Sequence, residues 1–167
     1  IIEAKFEGKT LYPRRGFSCS SGAMPSLRGK LGTFKNFATS SLEDLYSETR
    51  LEKAQRFEAN YLETSILIND GKGGFEMKPL PRWAQLSRSN CALLEDLDGD
   101  GKIDCLLGQN FYGPQPEIGH FDMGSSLLLK GKGDGTFEPV LPRVSGIQVP
   151  GAVMSVKSVD LNGDGQK

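Results

Sequence analysis

Apolar residues fall along this chain in two distinct rhythms. Between residues 25 and 45, Leu27, Leu31, Phe34, Ala38, Leu42 and Leu45 recur every three or four positions or close to it, the spacing of one face of a helix. Pro25 suits the first turn of such a helix. Ser40-Ser41-Leu42-Glu43 and Thr49-Arg50-Leu51-Glu52 both fit the capping-box pattern, which divides the region into two or three short helices rather than one long one. Gly29 and Gly32 weaken the first of them. The amphipathic stripe is read as packing on its own domain, not on a membrane or a partner.

Beyond residue 58 the rhythm becomes that of short strands between glycine-rich turns. Ser65-Ile66-Leu67-Ile68 runs through Asn69-Asp70-Gly71-Lys72-Gly73-Gly74 into Phe75-Glu76 and on to Pro79-Leu80-Pro81. Ser126-Leu127-Leu128-Leu129 runs through Lys130-Gly131-Lys132-Gly133-Asp134-Gly135-Thr136 into Phe137-Glu138 and on to Leu141-Pro142. Each predicts an apolar strand, a hairpin turn that needs positive φ, and a second strand opened by Phe. A second pair of segments follows at a similar interval. Leu93-Leu94-Glu95-Asp96-Leu97-Asp98-Gly99-Asp100-Gly101-Lys102-Ile103-Asp104 is echoed by Val156-Lys157-Ser158-Val159-Asp160-Leu161-Asn162-Gly163-Asp164-Gly165-Gln166. The unit of repetition is a little over sixty residues. Short strands repeated at that period mark units that bury their faces by stacking on neighbours, as propeller blades do.

Residues 1–58 are accordingly expected to be a strand, loop and short-helix segment, an insertion or cap, and residues 59–167 two repeats of which the second is truncated. Two units do not close a propeller, so the sequence reads as a piece of something longer.

Composition changes this picture little, but charge placement sharpens it. Lys+Arg number 20 and Asp+Glu 21, for a net charge of −1, so no global field draws the chain to nucleic acid or an anionic membrane. Basic residues exceed acidic ones up to residue 58, acidic exceed basic afterwards, and much of that excess sits in the two Asp-rich loops. Apolar runs such as Leu127-Leu128-Leu129 fall far short of the roughly 20 residues of a membrane-spanning helix. The three cysteines, Cys19, Cys91 and Cys105, lack C-x-x-C or zinc-like spacing and read as free thiols. In a hairpin centred on the first acidic loop, Cys105 is expected opposite Glu95 rather than opposite Cys91.

Asp96-x-Asp98-x-Asp100-Gly101-x-x-Asp104 puts carboxylates at loop positions one, three, five and nine, with Gly at six. A Ca²⁺ ion takes six to eight oxygen ligands at 2.3–2.6 Å, and a short loop surrounds one ion when alternate side chains turn inward. The Lys102 carbonyl would serve position seven, its ammonium facing solvent. Carboxylates so crowded repel one another without a cation. An EF-hand is excluded: its twelfth position needs a bidentate Glu between helices, and here it is Leu107 in an apolar run. In the second loop Asp160, Asn162 and Asp164 keep the spacing, and Gln166 at position seven offers its carbonyl.

The repeated Gly-rich hairpin before Phe, followed by Asp-x-Asp/Asn-x-Asp-Gly, resembles the FG-GAP/VCBS repeats also found in integrin α-subunit propellers. Gly108-Gln109-Asn110-Phe111-Tyr112-Gly113, with Phe121-Asp122 and the Leu run after it, is similar to bacterial VCBS-repeat proteins that often carry an ASPIC/UnbV module, as are the helix at Pro25-Ser26-Leu27 and the segment from Phe34 to Leu45. The literal Phe-Gly-Gly-Ala-Pro string is absent. The resemblance implies a mainly β fold, a β-propeller usually of seven blades, in an exported or surface bacterial protein, with Asp96, Asp98, Asp100, Lys102 and Asp104 on Ca²⁺.

Function follows as expectation. The leading reading is a calcium-binding propeller module for binding or adhesion, extracytoplasmic, with a protein or carbohydrate ligand and neighbouring blades of the parent chain as partners. Residues 110–126 are the candidate ligand loop, through Tyr112, Glu117, His120 and Asp122. The alternative is an extracytoplasmic lyase or hydrolase using Glu117, His120 and Asp122, although no G-x-S-x-G, H-E-x-x-H or phosphate-binding loop is present. A cytosolic calcium sensor lacks its paired helices and Met-rich groove. Nucleic-acid binding lacks a basic patch, and Trp83 stands alone.

Overall fold

In the computed structural model, residues 2–116 and 118–165 are described. The chain separates into two units, Ile1–Ala59 and Asn60–Lys167.

The first unit opens with a hairpin of β1 (Ala4–Glu7) and β2 (Thr10–Pro13), paired Glu7↔Thr10 through Ala4↔Pro13. Five short helices follow: α1 (Phe17–Ala23), α2 (Ser26–Leu31), α3 (Phe34–Thr39), α4 (Leu42–Tyr46) and α5 (Glu48–Glu52). Four helices therefore cover the region expected to hold two or three. The breaks have local causes. Gly32 at φ 72° ends α2, and Thr33 then caps α3 by accepting from the Asn36 N–H at 3.1 Å. The capping box is real but shifted by one: Ser41 and Asp44 exchange the bonds, not Ser40 and Glu43, and the Ser41 hydroxyl and N–H hold the Asp44 carboxyl below the usual carboxylate range. Thr49 caps nothing, since α5 begins at Glu48 with Ser47 before it. Helix α1 has no counterpart in the expected pattern. Phe17, Leu27, Phe37 and Leu45 form the core, with Phe17 and Phe37 ring centroids 5.2 Å apart. From the expected stripe, Phe34 is 68% exposed and Ala38 exposed; Phe37 is buried in their stead, because each short helix restarts the phase.

The second unit is antiparallel β throughout. Strands β3 (Ser65–Asn69) and β4 (Phe75–Pro79) form one hairpin. A 3-10 turn at Arg82–Gln85 leads into β5 (Ser89–Glu95), β6 (Asp104–Gln109), β7 (Leu127–Gly131) and β8 (Phe137–Val140), a four-stranded meander in sequence order. A last single turn, α6, spans Pro142–Ser145. The two Gly-rich hairpins expected from sequence are β3–β4 and β7–β8. Their turns are superimposable in bonding: the Asp70 N–H donates to the Gly74 carbonyl at 3.1 Å, and the Lys132 N–H to that of Thr136 at 3.0 Å. Glycines at corresponding places, Gly71 and Gly133, have φ of 72° and 85°.

Strand register explains which residues are inside. Cys105 pairs with Leu129 and Leu107 with Leu127, so all four share one face of the sheet. That face is the core, closed by Leu80, Ala84 and the half-buried Ile66 and Phe137. On the opposite face Leu93, Leu106, Leu128 and Val140 line up across all four strands and remain half-buried. One expectation needs correction here. Cys105 opposes Leu94, not Glu95, because the pair that closes the acidic loop is Glu95↔Asp104. Residues 153–159, which lead into the second acidic loop, form no strand, although the Val153 N–H donates to the Gln109 carbonyl at 3.0 Å. All three thiols are free, Cys19 exposed and Cys105 buried. Among the described residues no helix is long and apolar enough to cross a membrane.

Candidate metal centre

The loop between β5 and β6 is folded by its own carboxylates. Asp96 Oδ1 accepts the Gly99 N–H at 2.8 Å and the Asp100 N–H at 3.2 Å, and its Oδ2 accepts the Gly101 N–H at 2.8 Å. The wrap around one side chain is tight enough to require positive φ at Gly99 (78°) and Gly101 (82°). Asp104, the first residue of β6, is 2% exposed, and both its oxygens are engaged: Oδ2 accepts from Leu97 N–H at 3.1 Å and Oδ1 from Gly131 N–H at 2.9 Å. Asp104 thereby fastens the loop to strand β7.

Oxygens of Asp96, Asp98 and Asp104 lie within 4.8 Å of one another. Two ligands of one Ca²⁺ at 2.3–2.6 Å stand at most about 5.2 Å apart, so a single ion can bridge all three. Three carboxylate donors, hard and anionic, are the chemistry that Ca²⁺ takes. The residues present therefore fit the ion. Asp100 is not part of that convergence. Its Oδ1 accepts the Lys102 N–H at 2.9 Å and its Oδ2 faces the Lys130 ammonium at 3.3 Å; the Lys102 N–H first, and Lys130 after it, hold the Asp100 carboxyl below the usual range. The Lys102 ammonium does not simply face solvent, but lies 3.7 Å from Asp100.

Lys130 is the residue the sequence reading missed. From β7 it reaches across to Asp98 and Asp100, and those two carboxylates in that order raise its pKa. Thirty-two positions separate it from Asp98, so no local spacing marks it. Only the β6–β7 pairing, once known, brings the two together.

The second acidic loop repeats the wrap of the first around its leading Asp. Asp160 Oδ1 accepts the Gly163 N–H at 2.6 Å and Oδ2 the Gly165 N–H at 2.7 Å, and those two N–H groups hold its carboxyl below the usual range. The Asn162 amide donates to Asp164 Oδ2 at 2.8 Å. Gln166 lies outside the described residues, as does Glu117.

In residues 110–126, Phe111 and Phe121 form an isolated antiparallel bridge, and the Tyr112 and His120 rings stack at 4.9 Å. Tyr112 donates its hydroxyl to the Pro150 carbonyl at 2.8 Å. Asp122 is exposed, and no hydrogen bond joins it to His120 among the described residues. The loop is pinned by Asn110, fully buried at φ 75°, whose amide donates to the Gly124 and Pro150 carbonyls and accepts the Gly124 N–H and the Ser87 hydroxyl. Asparagine is among the few residues that tolerate that backbone region.

The model of the FG-GAP-like repeat matches residues 96–167, which run from the first acidic loop to the second. This chain carries an FG-GAP-like repeat. No curated protein and no solved structure matches the chain. The match takes in both Asp96 and Asp160, the two residues around which the acidic loops fold.

Proposed function

We propose that this chain is part of a calcium-stiffened β-propeller of the VCBS type, extracytoplasmic, whose role is to bind a protein or carbohydrate rather than to catalyse. The observation that carries the metal reading is the convergence of Asp96, Asp98 and Asp104 in the acidic loop of an FG-GAP-like repeat. Asp96, Asp98 and Asp104 would hold the ion, with the Lys102 carbonyl as the further ligand that the repeat pattern implies. Bound Ca²⁺ supplies positive charge that removes the mutual repulsion of these carboxylates and fixes the β5–β6 turn. Asp104 passes that rigidity to β7 through Gly131.

The propeller reading is supported by how the repeated hairpins stack. Phe75 and Phe137 open equivalent strands, so β3–β4 corresponds to β7–β8, the outer half of a four-stranded unit. Ile66 of β3 packs against the face formed by Cys105, Leu107, Leu127 and Leu129, and a Cβ added at Gly135 would lie 3.0 Å from Ile68 Cδ1. Ile66 and Ile68 correspond in the repeat to Leu128 and Lys130, on the opposite face of the meander. One sheet thus offers its second face to the next sheet's first, the arrangement by which blades follow one another. The second Asp loop belongs to the following blade, where Asp160, Asn162, Asp164 and the Gln166 carbonyl would hold a second ion.

Weak extracellular calcium modules bind at about 10⁻⁴–10⁻³ M, which serves where calcium is plentiful and motivates the extracytoplasmic assignment. The exposed Tyr112–His120 stack and Asp122 are the candidate contacts for a ligand, on a loop that Asn110 holds in place. The lyase or hydrolase alternative gains no support from the geometry, since no hydrogen bond joins His120 to Asp122 among the described residues.

Calcium titration by calorimetry, with thermal melting of the wild-type chain and of Asp98→Ala, tests the metal reading. Asp98 is the suitable site because, unlike Asp104, it accepts no backbone N–H outside its own loop. Saturable binding and a raised melting temperature, both lost in Asp98→Ala, are expected. Absence of binding and of any shift at several-fold above the ~10⁻³ M range would refute it.

A further inference from the structure

We infer that Lys130 is a built-in counter-cation of the acidic loop, a side chain that occupies part of the loop's charge-binding region in the metal-free state and must withdraw for Ca²⁺ to bind. The inference rests on the metal reading above and goes beyond it, to how the affinity of that site is set.

Three observations carry it. First, the Lys130 ammonium engages Asp98 and Asp100 together, and Asp98 is one of the three converging carboxylates. The ammonium draws on the same carboxylate group that would ligate the metal ion, so the two cations compete for the charge of Asp98. Second, Asp100 is withheld from the convergence while its Oδ2 faces Lys130. Release of Lys130 frees that oxygen to join the donor set as a fourth carboxylate. Third, the lysine is not demanded by the hairpin it sits in. The equivalent strand of the preceding repeat has Ile68 at that place, with no acidic loop beside it among the described residues, and forms the same turn. Of these two equivalent positions, the one that faces the acidic loop carries the cation.

The physical consequence is a site that is neither empty of charge nor rigidly closed when metal is absent. The like-charge repulsion of Asp96, Asp98 and Asp104 is partly compensated by a tethered ammonium, which keeps the apo loop folded and weakens its affinity for the divalent ion. Lys130 is itself about half exposed, so it can turn to solvent without unfolding the strand.

The test compares the full chain as wild type, Lys130→Met and Lys130→Arg, with CaCl₂ as the probe, by calorimetry and by melting in EDTA and in saturating calcium. Lys130→Met keeps the aliphatic stem and removes the charge. It is expected to bind Ca²⁺ about three- to thirty-fold more tightly, equivalent to ~0.7–2 kcal/mol at 1.4 kcal/mol per tenfold, while melting lower than wild type in EDTA. Lys130→Arg is expected to keep the wild-type affinity within about threefold. Calcium binding of equal strength in wild type and Lys130→Met overturns the role of Lys130 and leaves the metal site standing. Weaker binding in Lys130→Met, with the folded state intact by melting, overturns it equally. Binding by neither protein overturns the metal reading and this inference together. Binding by Lys130→Met alone would be its strongest support.

Discussion

Replacement of Asp104 by Ala separates what the loop's hydrogen bonds do from what a bound calcium ion would add. The Asp104 carboxylate is 2% exposed and accepts the N–H groups of Leu97 and Gly131. Gly131 is buried, so its orphaned N–H costs about 1–3 kcal/mol; the Leu97 N–H, near the surface, regains water and costs about 0.5–1.5 kcal/mol. Working the other way, Asp104 stands within 4.8 Å of oxygens of Asp96 and Asp98. Removing one charge of such a trio relieves about 1 kcal/mol per neighbour at the dielectric of water. The metal-free variant is therefore expected to lose a net ~1 kcal/mol, within about −0.5 to 2.5 kcal/mol. With calcium at ten to a hundred times its Kd the wild type gains a further ~1.4–2.7 kcal/mol that the variant does not share. Urea unfolding followed by circular dichroism, in EDTA and again in 10 mM CaCl₂ (roughly ten to a hundred times a Kd of 10⁻⁴–10⁻³ M), reads both numbers from the shift in midpoint at constant slope. A variant more stable than wild type in EDTA by over about 0.5 kcal/mol would refute the fastening of the loop to β7. A deficit of equal size in the two buffers would refute the metal contribution while leaving the hydrogen bonds intact.

Two further outcomes are expected. Gly131→Ala should fail to form the β6–β7 pair, because a Cβ there would lie 2.0 Å from the Ile103 carbonyl oxygen; soluble, cooperatively melting protein with wild-type stability would contradict that close approach. Burial pushes the Cys105 thiol up to about 11, so it should resist a thiol reagent at pH 8 until urea unfolds the chain, whereas exposed Cys19 reacts at once; stoichiometric labelling of all three thiols in the folded state would count against the core assignment. The linkage has a definite sign: above about pH 9 the unfolded chain releases the Cys105 proton that the folded chain retains. Stability should accordingly fall between pH 9 and about 11, by on the order of 2–3 kcal/mol at most, and Cys105→Ala should flatten that decline.

What could be read from the residues was what local backbone chemistry determines. Gly71 and Gly133 announce their turns because the positive φ they adopt is open to few other residues, and Phe75 and Phe137 announce the strands that follow. The acidic loop was legible for the same reason: Asp96 folds its own next five residues. The helices were legible as a region but not in their boundaries. Gly32, Thr33 and Ser41 break the amphipathic stripe and reset its phase, so Phe37 went inside where Phe34 and Ala38 were expected. Lys130 and Asn110 were not legible at all. Their partners lie 32 residues away for Lys130–Asp98 and 14 to 40 away for Asn110, and nothing in a single sequence ties such positions together.

The distribution of apolar surface in the unit Asn60–Lys167 gives the acidic loop its importance. Only one face of the four-stranded sheet is closed, by Leu80, Ala84 and the β3–β4 hairpin, while Leu93, Leu106, Leu128 and Val140 stay half-buried and Leu67, Phe75 and Met77 stand 47–64% exposed on β3–β4. A stack of units that each bury one face on the next behaves this way at every interruption of the stack. With so little core per strand, polar fastenings at the two ends of the meander must hold the register: Asp104 ties the β5–β6 turn to β7 at one end, and Asn110 ties the β6 exit to Gly124 and Pro150 at the other. The first of these fastenings lies within reach of a cation and the second does not. Calcium would therefore act on one end of the sheet, stiffening the β5–β6 and β7–β8 turns, while the loop after β6 is held by Asn110, the Phe111–Phe121 bridge and the Tyr112–Pro150 hydrogen bond. Ligand binding at that second end should accordingly persist in EDTA, with its affinity changed far less than the stability of the sheet that carries it.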